Sequence, residues 1–270
     1  AHPIIAGQFW ACMLPLIWML WTSDEEDRGL AWLGSIGALV VILTTSSSTP
    51  LLSVLAAIVG VSLFRLRHHR KKIWIGAIVV ACILHFVVMK QPIWHLMARV
   101  DVIGGSTGWH RFVVFDTFVR HFSDWYLTGY ATPMDWRWEM RDITNYYVFQ
   151  GITGGLLTLL AFSIVLIWAF RNVGEELNRA VVGPERFCGN AEWRIWLSGV
   201  LIWVHFVTFW GLTYFGQILV LWYLGLAMVG SLGAGLFLKD GLVPHQRPNR
   251  PDGVPRGSVA RYRVKPSRSP

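Results

Sequence analysis

The chain has 270 residues, of which 54% are hydrophobic, 14% aromatic and 15% charged, with a formal net charge of +8. Soluble globular domains carry about 25% charged residues, so this composition excludes one, and it equally excludes a disordered, collagenous or disulfide-rich secreted chain. Cys12, Cys82 and Cys188 are too few and too scattered for a disulfide framework or a zinc site. No nucleic-acid motif accompanies the basic charge, and no cofactor is expected; a polytopic membrane protein remains.

A span needs about 20 apolar residues. In chain order, residues 4–21, 73–89, 147–170, 195–210 and 214–238 qualify, whereas 30–45 and 50–64 are short. The short pair crosses the membrane if the Thr/Ser run at 44–49 lies at membrane depth or the helices tilt little; otherwise it is re-entrant. No basic segment precedes residues 4–21 and no small-residue cleavage site follows, so a signal peptide is not indicated. The chain reads as the C-terminal portion of something longer.

Charge sets the expected orientation. The run Arg65-Leu-Arg67-His-His-Arg70-Lys71-Lys72 contains no acid and borders a span, which places it in the cytoplasm by the positive-inside rule. Counting from it, 23–29, 171–194 and 239–270 are cytoplasmic, and 45–49, 90–146 and 211–213 are extracytoplasmic. The expected fold is an all-α transmembrane bundle of about seven spans over 1–238, with one large extracytoplasmic loop at 90–146 carrying short amphipathic helices. The basic, Pro-rich tail 239–270 has little apolar periodicity and reads as disordered. It either fixes topology or is attracted to anionic membrane lipids.

Loop 90–146 is rich in tryptophan and its charges cancel, so ordered, paired polar groups are expected rather than disorder. Ser106 or Thr107 can cap a helix over about 108–124. Its apolar face would comprise Val114, Phe115, Phe118, Val119 and Phe122, and its polar face Asp116, Arg120 and Asp124 in ion-pairing i,i+4 spacing. Such a helix lies at the membrane interface, apolar side down.

Arg111 interrupts the apolar stripe. A guanidinium there snorkels to headgroups, pairs with an acid, or binds an anion, for which phosphate suits its two-pronged fork. His110 points about 100° away on the wheel, toward the polar side. Asp142 and Asn145 share a face at the entrance of the next span, after Arg137, Glu139 and Arg141. Both are good N-caps; alternatively Asp142 is a general base and Asn145 orients hydroxyls. Gly151, Gly154 and Gly155 then permit close helix packing or a local break. His85 and His205 fall within spans, where a neutral imidazole bonded to a neighbouring helix competes with a functional role.

Four segments together resemble O-antigen ligases and O-antigen or exopolysaccharide polymerases. They are Gly108-Trp-His-Arg111-Phe-Val-Val-Phe-Asp, Tyr126-Leu-Thr-Gly129-Tyr, Asp142-Ile-Thr-Asn145-Tyr-Tyr and Gly151-x-x-Gly154-Gly155-Leu-Leu. Thr44-Thr-Ser-Ser-Ser-Thr-Pro50 is similar to the family's Thr-x-Ser-Arg segment, with Ser47 or Ser48 where the Arg usually stands, and His2-Pro-Ile-Ile-Ala-Gly7 to the stretch before a middle span. An acid in the Asp142 motif, where ligases often have His, fits a polymerase-like or divergent member.

The resemblance implies a multi-pass protein of the bacterial inner membrane that transfers glycan at its outer face. The donor would be a polyprenyl (undecaprenyl) diphosphate-linked glycan and the acceptor another glycan or a lipid, without a metal. Arg111, with Arg120 or Arg141, would hold the diphosphate, Asp142 would activate the acceptor hydroxyl and Asn145 would position it. Arg111 and Asp142 are thus the expected catalytic pair, with Asn145, Arg141, Arg120 and His110 binding substrate. A transporter or channel is the alternative, and would carry intramembrane charges or paired broken helices.

Overall fold

A computed structural model describes residues 3–22, 25–99, 107–182 and 190–242. Among the described residues every regular element is helical. The chain divides into two units, Ala1–Ala234 and Gly235–Pro270; of the second, only the continuation of the last helix to Leu242 is described. The tail beyond it lies outside the described residues, as does Ser106.

The first three helices are α1 (Pro3–Met19), α2 (Glu25–Thr44) and α3 (Ser48–Ser62). Glu25, Glu26 and Asp27 open α2, where carboxylates suit the positive helix end. Its last turn closes with the Thr44 and Thr45 hydroxyls bonded to the Val41 and Ile42 carbonyls at 2.8 and 2.7 Å. Ser46 takes a left-handed φ of 46°, and Pro50 falls in the first turn of α3, which tolerates proline. The short apolar stretch at 30–45 is therefore a full 20-residue helix once its acidic first turn is included. It packs antiparallel on α1, with Trp18 Nε1 donating to Ser35 Oγ at 3.2 Å and Gly7 close against Thr45.

α3 runs antiparallel to α8 (Asn190–Thr208). Trp196 and Trp203 donate their indole N–H groups to the Gly60 and Ala56 carbonyls at 2.9 and 3.1 Å, and Ser53 meets Thr208 at 2.9 Å. After α3, a tight 3₁₀ stretch over the basic run leads into α4 (Arg70–Ile83). A continuous helix from Ser48 to Val88 would be about 60 Å long. Instead, Leu52 near its start and Ile93 and Trp94 just after its end line one cavity, and Trp74 packs on Trp203 and Phe206 of α8. The chain reverses at the basic run, which two arginines clamp: Arg67 to Glu192 at 2.7 Å, and Arg70 to the Gly174 carbonyl at 2.7 Å and Asn178 at 2.8 Å.

A second reversal lies within α7 (Tyr146–Val182), whose backbone leaves helical geometry at Gly154 and Gly155. Tyr146 and Phe162 would be about 24 Å apart on a straight helix, yet their ring centroids are 5.4 Å apart. A short arm, residues 146–153, runs up into the loop region, and the long arm runs back along α8. Segment 126–130 docks into the break: Leu156 N–H donates to the Tyr126 carbonyl and Tyr130 N–H to the Ile152 carbonyl, both at 2.8 Å. A Cβ at Gly129 would overlap the Ile152 carbonyl, and one at Gly155 the Leu127 carbonyl. The glycine-rich segment thus has both roles its sequence allows, since Gly151 also lets the Phe118 and Trp125 rings approach closely.

The loop therefore has its own core of Val114, Phe118, Trp125, Met140, Val148 and Ile152. Its main helix is α5 (Thr107–Arg120), followed by a separate turn α6 (Phe122–Trp125). The expected helix over 108–124 is thus interrupted at His121. Of the expected apolar face, Val114 and Phe118 are buried and Val119 and Phe122 lie on the protein surface; Phe112 and Val113 are buried as well. The Asp116–Arg120 ion pair forms as the spacing predicts, at 2.6 Å.

Four described helices or helical runs are long and apolar enough to cross a membrane: Pro3–Thr22, Glu25–Thr44, Ser48–Val88 and Tyr146–Ala180. α9 (Gln217–Leu242) contributes a shorter apolar stretch at Gln217–Leu232. One end of the bundle collects the basic run, the start of α8 and the last turns of α7. The opposite end collects the 45–49 turn, the loop region and the turn after α8.

Candidate functional site

Arg111 is the fifth residue of α5, at the loop end of the bundle, and is partly buried. Its Nη2 donates to Thr49 Oγ1 at 2.6 Å. A Cβ on Gly211 would lie 3.5 Å from the guanidinium carbon and 3.2 Å from the Thr49 methyl. The guanidinium therefore occupies a slot between the start of α3 and the turn after α8, kept open by the missing side chain of Gly211. Ser47, at the N-cap of α3, makes no side-chain capping bond, so the amides of the first turn keep their partial positive charge beside Arg111.

His110, one residue earlier, turns to the other side of the helix. Its Nε2–H donates to the Asp142 carbonyl at 2.9 Å, so the start of α5 touches the 142–145 segment with one side chain and α3 with the next. The Asp142 side chain is exposed. Arg141 is also exposed and places its guanidinium 5.2 Å from the Trp138 ring centroid.

Asn145 is fully buried, and its Oδ1 accepts from the Tyr147 and Val148 amides at 3.0 and 3.1 Å. This is an N-cap of the short arm of α7, one of the two roles the sequence left open. Among the described residues its Nδ2, buried like the rest of the side chain, has no hydrogen-bond partner. The segment is pinned further by Tyr146 N–H on the Phe209 carbonyl at 2.8 Å and by Thr213 on the Ile143 carbonyl. Arg120 is not gathered with the others: it lies nine residues along α5 from Arg111, about 13 Å by helical rise, paired with Asp116.

One turn along α3 and α5 from Thr49 and Arg111, Leu52 and Phe115 line an apolar cavity of about 380 Å³ together with Ile93, Trp94, Val207 and Trp210. Trp94 Nε1 donates to Asp116 Oδ1 at 3.2 Å, fastening the 93–99 turn to α5. Burial opposes ionisation of Asp116, but the bonds from Arg120 and Trp94 outweigh it and hold the carboxyl below its ordinary range. Glu139 is also lowered, by its own backbone amide and by Arg137.

Sequence reasoning missed Thr49 as the partner of Arg111, although the Thr/Ser run had been singled out. It also missed Gly211 and the buried polar residues beneath them, which lie in otherwise apolar helices. Of the histidines within spans, His205 Nδ1 meets the Tyr214 hydroxyl at 2.7 Å, and His85 Nδ1 accepts from Ile93 N–H at 3.2 Å. Among the described residues no three His, Cys, Asp or Glu side chains group as a metal site. The chain matches no protein-family model, no curated protein and no solved structure.

Proposed function

We propose that this is a membrane glycosyltransferase of O-antigen ligase or polymerase type, acting on a polyprenyl diphosphate-linked glycan at the extracytoplasmic face. The observation that carries the reading is the Arg111 slot. A guanidinium bonded to Thr49 stands over a helix N-terminus without a side-chain cap, with an apolar cavity one helical turn further along the same two helices. This arrangement suits an anionic head on a hydrocarbon chain. The loop end of the bundle faces outward in this reading and the basic run faces the cytoplasm.

In the reaction, the bond between the sugar anomeric carbon and the diphosphate oxygen breaks as the acceptor oxygen bonds to that carbon. The electron pair departs on the diphosphate, where Arg111 stabilises the developing charge. Asp142, exposed at the rim, takes the acceptor hydroxyl proton. His110 holds the Asp142 backbone to α5, linking the two groups mechanically. Asn145 supports the segment as a helix cap, and its amide nitrogen is the part of it that the cap leaves unused. Arg141, beside Asp142 on the exposed rim, meets the outer part of the diphosphate or the glycan; Arg120 is committed to Asp116.

In cells carrying the full-length protein, Arg111→Ala and Asp142→Ala should each abolish surface polysaccharide at normal protein abundance. Wild-type glycan length and amount in both variants would refute the assignment.

A further inference from the structure

The slot that holds Arg111 has two walls, and both rest on polar residues that the proposed reaction does not use. Gln8 of α1, Ser53 of α3 and Thr208 of α8 are 0%, 1% and 1% exposed. Gln8 Nε2 donates to Ser53 Oγ at 2.8 Å and to Thr208 Oγ1 at 3.0 Å, and the two hydroxyls lie 2.9 Å apart. Each of the three therefore touches the other two. Ser53 Oγ also bonds the Thr49 carbonyl at 3.0 Å, one turn above it. The Thr208 carbonyl receives the Gly211 and Leu212 amides at 2.8 and 3.0 Å. One arm of the triad thus ends on the wall carrying Thr49, and the other on the wall carrying Gly211.

Apolar side chains of similar size would join these helices without polar atoms to satisfy, and each buried polar atom costs roughly 1–3 kcal/mol if its partner is lost. What the triad adds is direction, because bonds fix the separation and rotation of two helices where apolar contacts allow sliding. We propose that Gln8, Ser53 and Thr208 are positioning residues for Arg111, setting the width and register of the slot between α3 and the 208–212 turn. The proposal rests on the reading of Arg111 as the anion-binding group, and extends it to three residues that never touch the substrate.

The test uses the full chain in lipid nanodiscs, with phenylglyoxal modification of Arg111 followed by mass spectrometry and inorganic diphosphate as the protecting anion. Ser53→Ala and the near-isosteric Thr208→Val should raise the Arg111 modification rate several-fold. They should also weaken diphosphate protection about tenfold, the equivalent of about 1.4 kcal/mol. Ser53→Thr, which keeps the hydroxyl, should restore both values. Trp193→Phe removes an interhelix bond to the Trp18 carbonyl at the opposite end, so it should lower thermal stability and leave both readouts unchanged. Gln8→Leu is the third variant, and Thr208→Val decides the matter if that one does not fold. Unchanged modification rates in folded Ser53→Ala and Thr208→Val would overturn the positioning role. Failure of diphosphate to protect wild-type Arg111 would instead refute the anion-binding reading, with the modification rates still deciding the role of the triad.

Discussion

Gly155→Ala probes the reversal in α7 on which the position of the 142–145 segment depends. Gly155 has φ 72° and ψ −168°, a region essentially confined to glycine. Forcing an alanine into it costs about 1–3 kcal/mol. The added Cβ would also fall 2.5 Å from the Leu127 carbonyl oxygen, so segment 126–130 must move away. The bond from Leu156 N–H to the Tyr126 carbonyl is then lost, for about another 1 kcal/mol. The sum, about 2–4 kcal/mol, converts to roughly 30- to 700-fold faster local opening. Hydrogen exchange at the Leu156 and Tyr130 amides reads this directly. Gly216 is the internal control: its φ is 61°, but a Cβ there meets nothing within 4 Å. Gly216→Ala should therefore cost only about 1–2 kcal/mol of backbone strain and leave the 126–130 amides protected. If Gly155→Ala exchanges no faster than Gly216→Ala at those amides, the docking of the loop into the helix break is wrong.

Asn145→Ala should destabilise the short arm of α7 by about 1–2 kcal/mol through loss of its cap, measured as a lower melting temperature. Asn145→Asp keeps the capping oxygen and should retain most of that stability; if it loses activity while folded, the amide nitrogen meets substrate. Asp116 has a depressed folded pKa, so its stabilising contribution is present above the unfolded carboxylate value of about 3.9 and disappears as pH falls through the lower folded value. Tryptophan fluorescence of the loop should report loosening below about pH 4, and Asp116→Asn should flatten that dependence. Trp196→Phe and Trp203→Phe each remove one N–H donor to α3 and should each cost about 1 kcal/mol in thermal unfolding; a larger joint loss than the sum would show that α3 and α8 separate as a unit.

Much of this was legible in the sequence. The helical class and most helix positions follow from long apolar runs, and the Asp116–Arg120 pair follows from i,i+4 spacing. The anomaly of Arg111 on an apolar stripe pointed to the slot. The two reversals were harder to read, because a hydrophobic run has the same pattern whether the chain continues or folds back. The basic run and the Gly154–Gly155 pair marked the places without stating the angle. Phe112 and Val113 were not marked as buried because a wheel assumes one buried direction, whereas α5 packs on more than one neighbouring element. Gln8, Ser53 and Thr208 carry no signal in isolation: one polar residue per apolar helix has meaning only when three helices bring them together.

The central claim is that Arg111 binds the diphosphate head of a lipid carrier. Its most direct test is the affinity of a polyprenyl diphosphate, against the corresponding polyprenol, for the full chain in nanodiscs. The wild type should prefer the diphosphate, and Arg111→Ala should lose at least about tenfold of that preference. Arg111→Lys should fall between, since it keeps the charge without the two-pronged fork. Equal affinity for the two lipids in the wild type, or a preference unchanged in Arg111→Ala, would contradict the account.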